Sequence, residues 1–354
     1  MTSFTLNVPE SLELETAMKF CATLQQVPAH DEYILNFSKT KNTPPFGMLL
    51  AATELRQFKF QNPQSLVHCV NFQHMTYAMH MGFFKWFGAD IGKSPGQASG
   101  GKNYIPLTYF RTDKLVRDAA MNGHDVGDEV ESHSKRLTET LIGQNEGDVF
   151  EMFSYSIREI MRNVVEHANA EAISICSQYW PTKGRAEVAI IDRGIGLRSS
   201  LSKNPHIDVS DDRKALHFAL MPAVSGKAFK GSRKQANRGP WTNSGFGLYM
   251  TSRLCRNGGN FFISSGKTGM LLTAGKGGKR VYDTELGGTA IRMTIRTSQI
   301  SDLKDMLARY REEGYEIQKN YREIVSIDPS SASLMLSEDF NLPTWTRLLG
   351  RFKS

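Results

Sequence analysis

Cysteine is scarce in this sequence. The 354 residues include four cysteines, Cys21, Cys69, Cys176 and Cys255, which lie far apart and have no CxxC spacing. Disulfide frameworks and zinc sites both need cysteines that come together in sets, so neither is favoured here. We therefore expect four buried free thiols.

Long hydrophobic runs are also lacking. No apolar segment approaches the roughly 20 residues that cross a bilayer as a helix. The N-terminal residues MTSFTLNVPE have neither the basic region nor the apolar region of a signal peptide. With 40% hydrophobic and 22% charged residues, the composition is typical of a soluble globular protein. The sequence thus predicts a cytoplasmic protein with no membrane contact.

The length is sufficient for two domains, each able to form its own core. Alternating helical and strand periodicities predict an α/β fold in both halves of the chain. We predict a small α/β domain over 1–108, connecting helices over 109–146, a larger α/β domain over 147–300 and a helical C-terminal tail over 301–354.

The small domain contains a segment, YILNFSKTKNTPPFGMLLAA from Tyr33 onward, that reads as a strand, a polar turn and an apolar helix. This segment weakly resembles the STAS domain of anti-sigma-factor antagonists, whose Asp-Ser-Ser-Gly turn carries a phosphorylated serine. Here the turn reads Asn-Thr-Pro-Pro-Phe-Gly over 42–47, a departure that counts against phosphorylation. The alternative, an α/β unit of no particular family, stays open.

The most informative segment is a predicted helix over 148–168. Its apolar residues recur every three or four positions and define a buried stripe. Glu159, Asn163 and His167 fall four apart on a neighbouring face. Asparagine is unfavourable within a helix, so Asn163 indicates either a solvated polar edge or a functional site.

Three later segments favour the functional interpretation. A buried strand ends at Asp192, and Gly194 and Gly196 follow; a carboxylate there can accept a hydrogen bond from an amino group while the backbone turns under a flat ring such as adenine. The glycines of SGFGL, 244–248, open a helix whose N-terminal N–H groups suit a phosphate. Finally, Gly288 and Thr289 begin a strand, where a hydroxyl could join the hydrogen bonds around the base.

Together these segments resemble the GHKL family, named for gyrase, heat-shock chaperone, histidine kinase and MutL, in the order and spacing of its four motifs. The resemblance implies an α/β sandwich in which helices cover one face of a mixed sheet. It also implies ATP and Mg²⁺ as cofactors. The implied roles are Glu159 as general base, Asn163 as ligand of Mg²⁺, Asp192 with Gly194, Gly196 and Thr289 around adenine, and the backbone of Gly245, Gly247 and Leu248 on the phosphates. We interpret His167 as a structural residue.

A basic segment lies between the two glycine motifs, at 198–243, where the family has its ATP lid. It is interpreted either as a solvated loop or as a lid that brings one cation to the γ-phosphate. The Gly-rich stretch 265–285 lacks the GxxxxGK[ST] phosphate-loop pattern and predicts a β-hairpin instead. The basic residues of the lid segment are Lys203, Arg213, Lys214, Lys227, Lys230, Arg233, Lys234 and Arg238.

The resemblance leaves three activities open. The first is an ATP-hydrolysing conformational switch, which Glu159 favours. The second is a serine/threonine kinase of the anti-sigma-factor type, whose acceptor is Thr43 or a hydroxyl on a protein partner. The third is an ATP sensor without turnover. The predicted tail after this domain, 301–354, has 54 residues, too few for the transducer domain of gyrase or MutL. We expect a protein partner, consider a homodimer, and disfavour a nucleic-acid partner.

Overall fold

The computed structural model describes residues 2–98, 101–226, 245–275 and 277–322. These residues form a mixed α/β fold with a parallel three-stranded sheet and an antiparallel five-stranded sheet. Within the described ranges, no helix has the length and apolarity needed to cross a bilayer. The C-terminal part of the predicted tail, 323–354, lies outside the described residues.

The N-terminal unit is a βαβαβ arrangement whose parallel strands are ordered β1-β2-β3. Right-handed crossovers place successive helices on one face of such a sheet, and its two helices do pack against each other. Tyr33 and Leu35 of the middle strand face these helices and are fully buried. The elements are β1 (Ser3–Asn7), α1 (Leu14–Gln26), β2 (Glu32–Asn36), α2 (Pro45–Gln61) and β3 (Leu66–Val70).

Two short helices follow the third strand, α3 (Thr76–His80) and α4 (Phe83–Trp86). Gly82 separates them with a φ of 86°, a left-handed conformation that glycine adopts without strain. The break lets Phe83 and Phe84 pack edge-on against Phe37 in the core of the N-terminal unit.

The five-stranded sheet has the order β4-β5-β6-β8-β7, and every pairing in it is antiparallel. The resemblance implied a sheet with both parallel and antiparallel neighbours, and this detail is wrong for the larger sheet. Short connections join β5 to β6 and β7 to β8, and a tight hairpin permits only antiparallel neighbours. The predicted hairpin over 265–285 is confirmed. The strands are β4 (Tyr104–Arg111), β5 (Ala172–Trp180), β6 (Arg185–Asp192), β7 (Asn260–Thr273) and β8 (Lys279–Arg296).

The position of β4 bears on the organisation of the chain. This strand pairs with β5 at the edge of the larger sheet, and the predicted boundary at 108 falls inside it. The helices that follow it lie within the predicted connecting region, and the helix after β8 packs against the helix before β7. The helices are α5 (Thr112–Asn122), α6 (Val126–Ile142), α7 (Asp148–Asn163), α8 (Gly196–Leu201), α9 (Asp212–Ala219), α10 (Gly247–Arg256) and α11 (Leu303–Arg322).

Both faces of the larger sheet are buried. On β6, Val188 and Ile190 join the core beneath α7 and α10, whereas Ala189 and Ile191 join the core formed by the N-terminal unit. Successive side chains point to opposite faces of a strand, so the continuous apolar run of β6 reflects burial on both sides. The expected cover of helices on one face is therefore supplemented by α1 and α2 of the N-terminal unit on the other.

A hydrogen bond and an ion pair join the two units, each through a buried glutamate. Glu187 on β6 is fully buried, accepts a hydrogen bond from the backbone N–H of Phe46 at the start of α2 (3.0 Å), and pairs with Arg292 (2.7 Å). Arg193, directly after β6, pairs with the buried Glu54 of α2. The start and the middle of α2 are thus both tied to the larger sheet by charged groups.

All four cysteines are free thiols. Cys21, Cys176 and Cys255 are buried, as expected, and burial raises the pKa of each thiol. Cys69 is only partly buried, because it lies on the edge strand β3, where one side of the backbone has no neighbouring strand.

Candidate functional site

A cavity of about 960 Å³ lies between α7, the start of α10 and the face of the larger sheet that is opposite to the N-terminal unit. Segments that are far apart in the sequence line it together. They include eight of the nine residues that the motifs predict as site residues, and also His167. The eight are Glu159, Asn163, Asp192, Gly196, Gly245, Gly247, Leu248 and Thr289.

The polar face of α7 forms one wall of the cavity. Phe153, Ile157 and Ile160 turn into the core, so Glu159 and Asn163 lie toward the opening. The helix changes at Asn163 into a π-helical turn, Val164–Ala168, a rare geometry that often occurs at functional sites. The sequence left open whether the polar face of α7 is a solvated edge or part of a site. In the structure this face borders a cavity.

Asn163 has an unusual side chain within this wall. Its Nδ2 is buried and has no hydrogen-bond partner among the described residues. An amide normally finds partners when it is buried, because an unmet donor or acceptor costs free energy. The side chain is therefore suited to a polar group that enters the cavity.

Asp192 ends β6 and is 4% exposed. Its Oδ1 accepts a hydrogen bond from the N–H of Gly194 (2.8 Å), and the hydroxyl and N–H of Thr289 also donate to the carboxylate. Burial raises the pKa of Asp192 to about 6, although these hydrogen bonds act in the opposite direction. At neutral pH the group is mainly an ionised acceptor.

Two rows of side chains cross the cavity face of the sheet. Ile190, Ile291 and Ile263 lie side by side in register on β6, β8 and β7, and all three line the cavity. Two positions along each strand, Asp192 and Thr289 continue the same face as a polar row. The cavity thus has an apolar floor with hydrogen-bonding groups at one end. The sequence predicted the two residues of the polar row. It did not predict the row of isoleucines, because strand register decides which side chains become neighbours.

Gly194 is the predicted site residue that does not line the cavity. A Cβ at this position would lie 2.1 Å from the carbonyl oxygen of Ala168, and the next residue, Ile195, donates its N–H to that same oxygen (2.7 Å). The glycine therefore lets the loop after β6 pack against the π-helical turn. Its contribution to the site is close packing and not direct contact.

The start of α10 approaches Glu159 closely. A Cβ on Gly247 would lie 2.5 Å from Oε2 of Glu159, so any larger residue would require that carboxylate to move. Among the described residues, no side chain caps the N-terminus of α10. The first N–H groups of a helix lack intrahelical partners and attract anions, so the uncapped end is suited to phosphate.

The cavity continues beyond the predicted residues to α6 and α11. Arg158 and Tyr155 of α7, Glu131 of α6, and Arg311 and Tyr315 of α11 line this outer part. None belongs to a motif. In the sequence, Arg158 is distinguished only by its position next to Glu159. This position does not predict where the arginine side chain points.

The basic segment after β6 is described only in part. Lys203, Arg213 and Lys214 do not line the cavity, and Lys214 pairs with Asp208 on the surface. The other predicted lid cations, Lys227, Lys230, Arg233, Lys234 and Arg238, lie outside the described residues.

Thr43 lies on the other side of the larger sheet. It is 9% exposed and directly precedes α2, which packs on the face of β5 and β6 opposite to α7. The sheet separates this hydroxyl from the cavity. The structure therefore disfavours Thr43 as an acceptor for phosphate transfer within the same chain.

Comparison with models of protein families finds no match, and comparison with curated proteins finds none either. Function is therefore inferred from the sequence motifs and from the residues that the fold brings together at this cavity.

Proposed function

We propose that the cavity binds Mg-ATP and that the protein hydrolyses it, acting as a nucleotide-dependent regulatory switch of the GHKL type. The observation that carries the proposal is the convergence of four predicted motifs on one cavity. Glu159 and Asn163 come from α7, Asp192 from the end of β6, Gly247 from the start of α10 and Thr289 from β8.

Adenine is the base that the inner end of the cavity fits best. Its flat ring would rest on the floor of Ile190, Ile263 and Ile291, where apolar contact is favourable. Its exocyclic amino group would donate to the ionised Asp192. Carboxylates accept hydrogen bonds and do not donate them when ionised, so this end favours a ring with an amino group.

The phosphates would extend toward α10, whose first residues Gly247 and Leu248 line the cavity and have N–H groups without intrahelical partners. Asn163 is suited to hold Mg²⁺ through its amide oxygen, a hard ligand of the type this cation prefers, together with phosphate oxygens. The buried Nδ2 of the same amide, which has no partner among the described residues, would donate a hydrogen bond to a phosphate oxygen. When bound, Mg²⁺ would neutralise charge on the phosphate oxygens.

Glu159 would act on the attacking water. The water oxygen forms a bond to the γ-phosphorus, the bond from that phosphorus to the bridging oxygen of ADP breaks, and Glu159 takes the proton of the water. ADP and inorganic phosphate are the products. The carboxylate lies against the start of α10, so the base and the phosphate-binding N–H groups are neighbours.

The test separates binding from turnover. We expect Glu159→Ala to bind ATP and to lose turnover by about 100-fold or more, because proton transfer contributes that much in many enzymes. Asp192→Asn should instead lose ATP binding, since it replaces an acceptor with a donor. Both are measured with γ-labelled ATP, by equilibrium binding and by release of labelled phosphate. Glu151→Ala, an exposed position on the same helix, is the matched control.

A kinase is the second candidate, and the outer part of the cavity favours it. Beyond Glu159 the cavity continues to Tyr155, Arg311 and Tyr315, which leaves space for a hydroxyl-bearing segment of a protein partner. The same labelled ATP, incubated with cell lysate, distinguishes the candidates. Label on a protein hydroxyl indicates the kinase, label in free phosphate alone indicates the ATPase, and tight binding with neither indicates a sensor. Normal turnover by Glu159→Ala would refute the assignment of the base.

A further inference from the structure

Arg158 lies between two carboxylates at the edge of the cavity. Its Nη2 is 3.0 Å from Oε1 of Glu159, and its Nη1 is 3.5 Å from Oε2 of Glu131 on α6. The guanidinium also lies over the ring of Tyr155, 5.2 Å from its centroid. Three separate contacts therefore hold this side chain in one orientation.

Glu159 has a neighbour at each of its two oxygens. Oε1 pairs with Arg158, and Oε2 faces the backbone of Gly247 at the start of α10. Among the residues that the structure describes, Arg158 is the only ion-pair partner of Glu159. The direction in which this carboxylate points is thus set by Arg158 on one side and by α10 on the other.

The far end of the arrangement is anchored outside the site. Glu131 also pairs with Lys135 through its other oxygen, at 2.7 Å, and the hydrogen bond from Lys135 is the largest of the effects that lower the pKa of Glu131. Since α6 and α7 pack along each other, Glu131 is a fixed point relative to α7. A chain of contacts then runs from Glu131 through Arg158 to Glu159.

We propose that Arg158 is a positioning residue that orients Glu159 for catalysis, with Glu131 as its anchor. This inference rests on the proposed function, because it assigns a partner to the proposed base. Arg158 acts through Glu159 and need not touch the nucleotide. Arginine is suited to the task because its planar fork contacts two acceptors at once while its face stacks on an aromatic ring.

The experiment is a mutant cycle on the full chain, with kcat and the Kd for ATP measured separately. Arg158→Gln is expected to lower kcat about tenfold and to leave the Kd within about twofold, the pattern of an interaction that matters only in the transition state. Arg158→Lys keeps the charge without the fork and should recover only part of this loss. Glu131→Gln should lower kcat by about threefold, since Arg158 then keeps its other contacts.

Double variants show whether the three residues act in series. Arg158→Gln should have no further effect on residual turnover when Glu159 is already Gln. Glu131→Gln should likewise have none when Arg158 is already Gln. Arg136→Gln, which removes one arginine from exposed α6 without touching Glu131 or Arg158, is the matched control. Thermal unfolding midpoints confirm that each variant folds, and Glu131→Gln carries the test if Arg158→Gln is unstable.

Different results would contradict the role of Arg158 and the proposed function. Suppose that turnover by the wild type depends on Glu159. If Arg158→Gln then leaves turnover unchanged, the role of Arg158 is wrong and the proposed function is not affected. The same holds if Arg158→Gln lowers turnover equally with and without Glu159, or if Arg158→Lys restores kcat completely. Turnover that does not depend on Glu159 would overturn the proposed function and this inference with it.

Discussion

Asp192 is the single residue whose environment most constrains the chemistry. A buried carboxylate without a cation beside it is costly to ionise, and the pKa of about 6 reflects burial that its hydrogen bonds only partly offset. The result is an acceptor that is charged at neutral pH and becomes a donor in mild acid. Sequence reasoning identified the residue but could not give its protonation, because that depends on burial by distant segments.

Ligand binding should follow this titration. We expect affinity for adenosine, which has no phosphate to titrate, to fall about tenfold between pH 7.5 and pH 5, with a midpoint near the pKa of about 6. Thr289→Val removes one donor that lowers the pKa, so its midpoint should lie at higher pH. Calorimetry at a series of pH values measures both curves. Identical midpoints in the two proteins would contradict the assigned hydrogen bond.

The same shift has a consequence for stability. Because folding raises the pKa of Asp192 from its ordinary value of 3.8, protonation of this group favours the native state. This contribution is fully present below pH 4 and is lost as pH rises through 6, at a cost of roughly 1–3 kcal/mol. Asp192→Asn should not show this loss. Denaturant unfolding at pH 4 and pH 7.5 compares the two proteins.

Individual elements were predicted with different success. The strand predicted to end at Asp192 and the apolar helix predicted after the turn at 42–47 are found as β6 and α2, because each carries a periodicity that local sequence records. The predicted helix over 148–168 continues as an α-helix only to Asn163. The π-helical turn after it depends on the packing of Gly194 against Ala168, a contact that local sequence does not encode.

The junction of α7 and α10 gives a prediction at this scale. Gly247→Ala adds a Cβ that would lie 2.5 Å from Oε2 of Glu159, so the carboxylate must move. We expect turnover to fall at least tenfold, because the proposed base is displaced. The free energy of unfolding should change by no more than about 1 kcal/mol, since the displaced atom is the end of a flexible side chain and alanine is favoured over glycine in a helix. Release of labelled phosphate and urea unfolding check this, and a loss of several kcal/mol in unfolding free energy would contradict it.

At the scale of the whole molecule, the predicted α/β fold is found, with one sheet in each half of the chain. The sequence did not predict that Cys176, Ala189 and Ile191 of the larger sheet share a core with Phe46 and Leu50 of the N-terminal unit. Sequence periodicity shows that β6 is apolar throughout but does not identify what covers each face. The shared core means that the N-terminal unit and the larger sheet stabilise each other.

Glu187 provides the test of this mutual dependence. It is fully buried and holds Arg292, itself nearly buried, at 2.7 Å, while it also accepts the N–H of Phe46 at the start of α2. Glu187→Gln leaves the arginine charge buried without its carboxylate partner, so we expect a loss of about 3–5 kcal/mol in unfolding free energy.

The control is the double variant Glu187→Gln with Arg292→Met, which removes the unpaired charge and should recover much of the lost stability. Because the two units share a core, chemical denaturation followed by circular dichroism and by tryptophan fluorescence should give one coincident transition in the wild type and in both variants. Two separate transitions in the wild type would contradict a shared core. A single transition in the wild type that splits in Glu187→Gln would instead identify Glu187, which accepts the N–H of Phe46, as the residue that couples the units.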